Sequence, residues 1–189
     1  LLGLINDILD LSRIEAGKME LTFDEVNLPE LINSVMSTAA GLVKDRPITL
    51  HRELPPDLPT VRADAMRVRQ VLLNLLSNAA KFTDEGTITV RARVSEGPSG
   101  HPEITVSVTD TGPGISQEDQ KKLFQPFSQV DASPTRKSGG SGLGLSISNH
   151  LIQMHGGRMG LDSEPGHGST FFFTLPTFRG KVETDKSQT

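Results

Sequence analysis

Asp110-Thr111-Gly112-Pro113-Gly114-Ile115 and Gly139-Gly140-Ser141-Gly142-Leu143-Gly144-Leu145 open and close the stretch whose reading decides the fold. Glycine costs backbone entropy on folding, so two runs this rich in it belong where the chain bends sharply or approaches a ligand closely. A phosphate-bearing ligand is the expectation. Immediately upstream, Ile104, Val106, Val108 and Asp110 recur with the period of a strand, which points Asp110 toward the covered layer if the strand runs to its end. A carboxylate there needs a donor, because an unpaired buried charge is expensive; an Asp that merely caps the turn is the structural alternative.

Working downstream, Gln117 to Leu123 reads as a short helix leading to Phe124-Gln125-Pro126-Phe127. The polar segment Ser128 to Ser138, with Arg136 and Lys137, reads as a mobile, lid-like loop. Gly142-Leu143-Gly144 then opens a helix with Leu143, Ile147, Leu151 and Met154 at helical spacing, and a helix N-terminus offers free N–H groups and a positive dipole end to phosphate oxygens. His155-Gly156-Gly157 ends it. A hairpin of Arg158 to Asp162 and Thr170 to Leu175 closes the domain, with Phe171 and Phe173 on one face and Phe172 on the other. Residues 177–189 read as a polar tail or linker.

Working upstream, Thr87 to Val94 and Ile104 to Thr109 alternate as a hairpin. Before it lies the most informative helix, Ala65 to Phe82, N-capped by Asp64. Its core face is Val68, Val71, Leu72, Leu75, Leu76 and Ala79, while Asn74, Asn78 and Lys81 share another. Two amides and an ammonium on one stripe fit a ligand, and a solvated polar face fits them as well. Ile48 to His51, Val61 to Ala63 and Leu21 to Val26 read as short strands or extended pieces, and Leu28 to Lys44 as a helix with Pro29 in its first turn. Leu1, Leu4, Ile5, Ile8, Leu11 and Ile14 mark an amphipathic helix suited either to a core or to dimerisation or linkage. Its place at the start of the chain favours the second, as a piece of something longer.

Composition bounds the classes. The 189 residues are 35% hydrophobic and 22% charged, enough for one globular domain with an appendage. Net charge is −4 with scattered basic residues, which gives nucleic acid no electrostatic footprint. Cysteine is absent, excluding disulfides and thiolate metal sites and fitting a reducing, cytoplasmic setting. No apolar run approaches the roughly 20 residues of a membrane span.

Five segments in order, Asn74-Leu-Leu-Ser-Asn78-Ala-Ala-Lys81-Phe82-Thr83, Asp110-Thr-Gly112-Pro-Gly114, Phe124-Gln-Pro-Phe127, Gly140-Ser-Gly142-Leu-Gly144 and Gly166-His-Gly168-Ser169-Thr170, resemble the N, G1, F, G2 and G3 boxes of sensor histidine kinases, members of the GHKL ATPase superfamily. Leu4 to Ser12 also resembles the end of the second helix of the dimerisation and phosphoacceptor domain. The resemblance implies a two-layer α/β sandwich, a mixed sheet covered on one face by helices. Residues 1–20 would close the dimerisation domain and residues 21–176 form the catalytic and ATP-binding domain.

The resemblance also implies roles. Asn78 would hold Mg²⁺ through its amide oxygen, with Asn74 and Lys81 facing the ATP phosphates, and these three would form the catalytic set. Asp110 would accept from the adenine amine, and Phe82 would lie by the base or ribose. Gly112, Gly114, Gly142, Leu143 and Gly144 would bring backbone to the nucleotide, Arg136 or Lys137 would meet the γ-phosphate, and Ile115, Phe127, Ser141 and Thr170 would complete the contacting set. Phe124 and Phe127 also fit anchors for the loop after them. The implied partners are the chain's own phosphoacceptor domain, in a homodimer, and a response-regulator receiver domain.

One departure limits the reading. The family's phosphoacceptor is a helical His followed by an acidic residue, whereas His51, His101, His150, His155 and His167 precede Arg52, Pro102, Leu151, Gly156 and Gly168. The acceptor is therefore expected upstream of Leu1, with these five in surface or packing roles. In ATP-hydrolysing relatives a Glu stands four residues before the magnesium Asn; here that residue is Asn74, and an amide is a poor base, which favours transfer over hydrolysis.

Overall fold

The computed structural model describes residues 1–129 and 141–177. The expected tail beyond Thr177 and most of the expected lid, with Arg136 and Lys137, lie outside the described residues. In order the elements are α1 (Leu2–Glu15), β1 (Asp24–Val26), α2 (Leu28–Val43), β2 (Ile48–Glu53), β3 (Val61–Ala63), α3 (Ala65–Phe82), β4 (Gly86–Glu96), β5 (Pro102–Asp110), α4 (Gln117–Gln120), α5 (Gly144–Met154), β6 (Met159–Ser163) and β7 (Ser169–Pro176). No helix among the described residues is long and apolar enough to cross a membrane.

The main sheet runs β2-β4-β5-β7-β6, with β2 parallel to β4 and every other pair antiparallel. β1 and β3 form a separate antiparallel pair, tied to the end of β7 by a bridge from Val61 to Thr177. Period-two alternation sorts the strands: Ile88, Val90, Ala92, Ile104, Val106, Val108, Phe171, Phe173 and Leu175 are buried on one face. The opposite face carries Thr105, Ser107, Thr109, Thr170 and Phe172, none of them fully buried. Such one-sided covering is the ordinary state of an antiparallel sheet and leaves the helices to one layer.

Local chemistry sets the ends of α3. Asp64, in extended conformation, accepts from Arg67 N–H at 3.2 Å, and Thr83 returns to extended backbone at φ −100°, ψ 118°. Between these ends Val68, Val71, Leu72, Leu75, Leu76, Ala79 and Ala80 are all buried. α3 packs on both α2 and α5 and reaches the sheet at β4 and β5. α2 starts the same way, Asn27 accepting from Glu30 N–H at 3.2 Å with Pro29 in the first turn. Arg46, just past α2, donates to the carbonyls of Ala80 and Thr83, closing the C-terminal end of α3 with a cation where the dipole favours one.

The main strands differ from the expected bounds by one or two residues at their ends, and three elements differ in other ways. The piece expected over Leu21 to Val26 is a strand only from Asp24, where β3 supplies a partner. α4 stops at Gln120 instead of Leu123, and the chain continues through i→i+3 bonds from Lys122, Leu123, Gln125 and Ser128 N–H. The amphipathic face of α1 divides: Leu11 is buried and Ile14 packs on the core, whereas Leu1, Leu4, Ile5 and Ile8 are exposed together with Leu2 and Leu9.

Candidate functional site

Three backbone features converge along α3. At its C-terminal end lies the turn after β5, and Asp110, 6% exposed, points to the helix side as the alternation required. Its Oδ1 accepts from Gly112 N–H at 2.9 Å and the carboxylate also accepts from Ser169 N–H. Burial pushes the Asp110 carboxyl above its ordinary range, and these two donors pull back against it. One turn of strand register explains the second donor, since Asp110 stands opposite Ser169 in the β5–β7 ladder. Gly168, at φ +80°, permits this approach: a Cβ there would fall 2.0 Å from the Asp110 carbonyl oxygen.

Two helical turns earlier on α3, Asn74 is half-buried in the seam with α5. Its Nδ2 donates to Ser148 Oγ at 3.2 Å, and its Oδ1 would lie 2.3 Å from a Cβ on Gly144, so a side chain at Gly144 would displace the Asn74 amide from this place. Asn78 and Lys81 follow on the same face, both half-buried. Asn78 makes no side-chain hydrogen bond among the described residues. The Lys81 ammonium lies 5.3 Å from the centre of the Phe82 ring, within cation–π range.

The loop after Asp110 is clamped to the β6–β7 turn. Gly166 N–H donates to the Pro113 carbonyl at 2.7 Å, Ile115 N–H to Ser163 Oγ at 2.9 Å, and the Gln120 amide to the carbonyls of Ile115 and Ser163. Ser163 also bonds Ser169 Oγ at 2.8 Å and the Gly168 carbonyl. The Asp110 turn and the 164–168 turn are thus one rigid unit.

Several expected contacts stand elsewhere. Thr170 points to the uncovered face of the sheet, where its Oγ1 pairs with Thr109 Oγ1 at 3.0 Å, and Ser169 takes the place beside Asp110. Leu143 is fully buried and its N–H goes to Ser141 Oγ at 3.2 Å, so neither its side chain nor its amide is open to a ligand. Ser141 Oγ in turn donates to Asp7 Oδ2 on α1 at 2.9 Å. Phe127 is 65% exposed, with its backbone at φ +61° pressed against Gly142, so the anchor of this segment is the half-buried Phe124 and not Phe127. Ile115 is half-buried against the core. At Gly112, Gly114 and Gly142 the close approach is made by protein atoms: Asp110 Oδ1, the Glu164 carbonyl and the Phe127 backbone. Ser169 was legible, because the period that pairs Phe171 with Phe173 also puts Ser169 on their side; Arg46 carries no local signal.

Comparison with known proteins agrees with this architecture. Residues 63–179 match the family described as histidine kinase-, DNA gyrase B- and HSP90-like ATPase. The chain is 43% identical over 188 residues to the sensor protein GacS of Pseudomonas syringae pv. syringae, covering 99% of this chain and 21% of that protein. It is 39% identical to the signal transduction histidine-protein kinase BarA of Escherichia coli K12, covering 93% and 19%. Full-length ShkA, solved in complex with AMPPNP, superposes with a TM-score of 0.82 at 33% identity over 95% of this chain and 36% of that one. The nucleotide-free catalytic domain of histidine kinase ThkA gives 0.70 at 31% identity over 83% and 97%. The chain spans about a fifth of the length of the curated relatives named here. A helix-covered mixed sheet with a buried Asp at the end of β5, and an Asn-rich face on α3 meeting a glycine-led α5, places this chain in the histidine kinase-, DNA gyrase B- and HSP90-like ATPase family, on its sensor histidine kinase side.

Proposed function

We propose that this chain is the ATP-binding catalytic domain of a sensor histidine kinase, passing the γ-phosphoryl of Mg-ATP to a histidine outside residues 1–189, for relay to a response-regulator aspartate. The observation that carries the reading is Asp110: a buried carboxylate, held by two backbone N–H groups, at one end of a face whose other end meets the start of α5. From Asn74 to Phe82 that face runs about 12 Å at 1.5 Å per residue. An elongated ligand with an amine at one end and anionic groups at the other fits it.

The roles follow the chemistry of each group. Asp110 accepts from the adenine amine. Asn74 and Lys81 serve the phosphate end, and Phe82 lies by the base or ribose. Asn78 offers a neutral amide oxygen, suited to a Mg²⁺ that keeps several waters and shares phosphate oxygens. The described residues hold no cluster of three or more His, Cys, Asp or Glu that would bind a cation alone, which fits an ion that arrives with the nucleotide. When bound, that ion supplies charge neutralisation to the triphosphate. Asn74, an amide already donating to Ser148, leaves that position without a carboxylate base, so transfer is favoured over hydrolysis. Residues 21–176 form the catalytic domain, and the exposed apolar side of α1 pairs with a second copy in the full-length dimer.

Base discrimination tests the reading. A carboxylate that accepts from the adenine amine repels guanine, whose matching edge presents an acceptor oxygen, and a charge-assisted hydrogen bond contributes about 1.5–3 kcal/mol. Calorimetric titration is expected to show ATP bound at least about tenfold tighter than GTP, and Asp110→Asn to erase most of that ratio. Equal affinities for the two nucleotides, or an Asp110→Asn variant that binds ATP like the parent, would sink the assignment.

A further inference from the structure

On its helix side the main sheet ends in a polar row, although the row behind it is apolar. Asp110 on β5 stands opposite Ser169 on β7, and Ser169 stands opposite Ser163 on β6. The next row on the same face holds Val108, Phe171 and Leu161, all in the core or packed against it. Asp110 and Ser169 are both 6% exposed, so water cannot solvate them freely and the polar groups of this row must satisfy one another.

They do so through one oxygen. Ser163 Oγ accepts from Ile115 N–H at 2.9 Å and donates to the Gly168 carbonyl at 2.9 Å, which leaves the Ser169 hydroxyl, 2.8 Å away, to give its proton to the second lone pair. The valence of that oxygen is complete. Both backbone donors of the Asp110 carboxylate lie beside these bonds in the chain, Gly112 shortly before Ile115 and Ser169 next to Gly168. Ser163 Oγ therefore closes a ring that runs from the carboxylate through Gly112 to Ile115, across to Gly168, and back through Ser169. The ring fixes the spacing of two N–H groups on a buried carboxylate, and with it the direction of the lone pairs left for a ligand.

Resting on the nucleotide reading above, we propose that Ser163 is a positioning residue that sets base specificity, acting through Asp110 by aiming its carboxylate at the adenine amine. Without the hydroxyl, Ile115 N–H and the Gly168 carbonyl lose their partner, and groups so stranded recover hydration only by moving. Gly112 moves with Ile115 and Ser169 with Gly168, so the two donors separate and the carboxylate turns from the amine. The junction itself survives, because Gly166 N–H still holds the Pro113 carbonyl and the Gln120 amide still holds the carbonyls of Ile115 and Ser163. The loss falls on the contact with the 6-amino group and spares the phosphate end of the α3 face.

The test titrates the parent, Ser163→Ala and Ser163→Thr with Mg-ATP and with the Mg²⁺ complex of purine riboside 5′-triphosphate, which lacks the 6-amino group. Ser163→Ala is expected to weaken ATP about tenfold and to leave purine riboside triphosphate bound as in the parent, a split that general loosening of the fold would not produce. Ser163→Thr, which returns the hydroxyl, is expected to restore ATP. Ser169→Ala keeps the backbone donor to Asp110 and removes only the proton given to Ser163, so it strands no backbone group; it is expected to cost ATP about threefold, again with purine riboside triphosphate unchanged, and it carries the test if Ser163→Ala fails to fold. A folded Ser163→Ala that binds ATP like the parent, or equal losses of both nucleotides in either alanine variant, overturns the proposal and leaves the nucleotide reading intact. A parent that binds the two nucleotides equally, or neither, overturns the reading of Asp110 and the proposal with it.

Discussion

His155 is a neutral ring locked between two backbone groups. Its Nδ1–H donates to the Leu151 carbonyl at 2.6 Å and its Nε2 accepts from Asp64 N–H at 3.0 Å, a pattern that only the uncharged Nδ1-protonated tautomer satisfies. Burial lowers its pKa below the ordinary histidine value of 6.5, against the opposing pull of the Leu151 carbonyl and the nearby Asp64 carboxylate. Phe23 stands edge-on to the ring at 5.4 Å and Arg62 lies over Phe23, so the same residue helps seat the segment between α1 and β1. Because the folded pKa lies below the unfolded one, the stability this imidazole contributes is present above pH 6.5 and is lost as pH falls toward the folded value, where the unfolded chain binds the extra proton. His155→Gln is expected to lower the urea midpoint at pH 7.5 and to flatten its decline between pH 7.5 and pH 5.5. Parallel pH profiles for parent and variant would show that the ring stays accessible to protons in the fold.

At the scale of elements, α1 meets the rest of the molecule through polar groups as much as apolar ones. Arg67 on α3 reaches both oxygens of Asp10 at 3.3 Å and Gln70 Oε1 at 2.8 Å, Gln70 donates to Asp10 at 2.9 Å, and Asp7 takes Ser141. The Asp10 and Arg67 side chains are 14% and 16% exposed, so the pair is shielded enough to matter, and removing one partner strands the other. Arg67→Ala is expected to speed amide exchange in α1 by about tenfold, as the loss of roughly 1–2 kcal/mol would, while core strands β5 and β7 keep their protection. Acceleration spread evenly over the whole domain would mean that α1 is integral to the fold and not a docked appendage. What was legible in the sequence divides along the same line. Periodicity and caps placed α3, β5 and Asp110 because those signals are local. The partners of α1 and the Arg46 closure of α3 depend on residues dozens of positions away. The glycines were readable as close approaches, but not as approaches of protein to protein.

At the scale of the whole molecule, the phosphate-end residues Asn74, Asn78 and Lys81 share one face while no histidine in the chain has the acidic neighbour of a family phosphoacceptor. Residues 1–189 should therefore bind Mg-ATP, hydrolyse it slowly for want of a carboxylate at position 74, and form no stable phosphohistidine. In a full-length protein that carries an acceptor helix pair upstream of residue 1, an acid-labile and base-stable label from γ-labelled ATP should appear. Asn78→Ala in that full-length protein should abolish the label, because phosphoryl transfer rests on positioning and charge neutralisation and Asn78 is the group assigned to hold the ion that provides both. Raising Mg²⁺ should rescue Asn78→Ala in part if its defect is lost ion affinity, and not at all if the substitution disturbs α3. Stable label on residues 1–189 alone would place the acceptor among the five histidines, and full labelling of Asn78→Ala would move the metal ligand elsewhere on the α3 face.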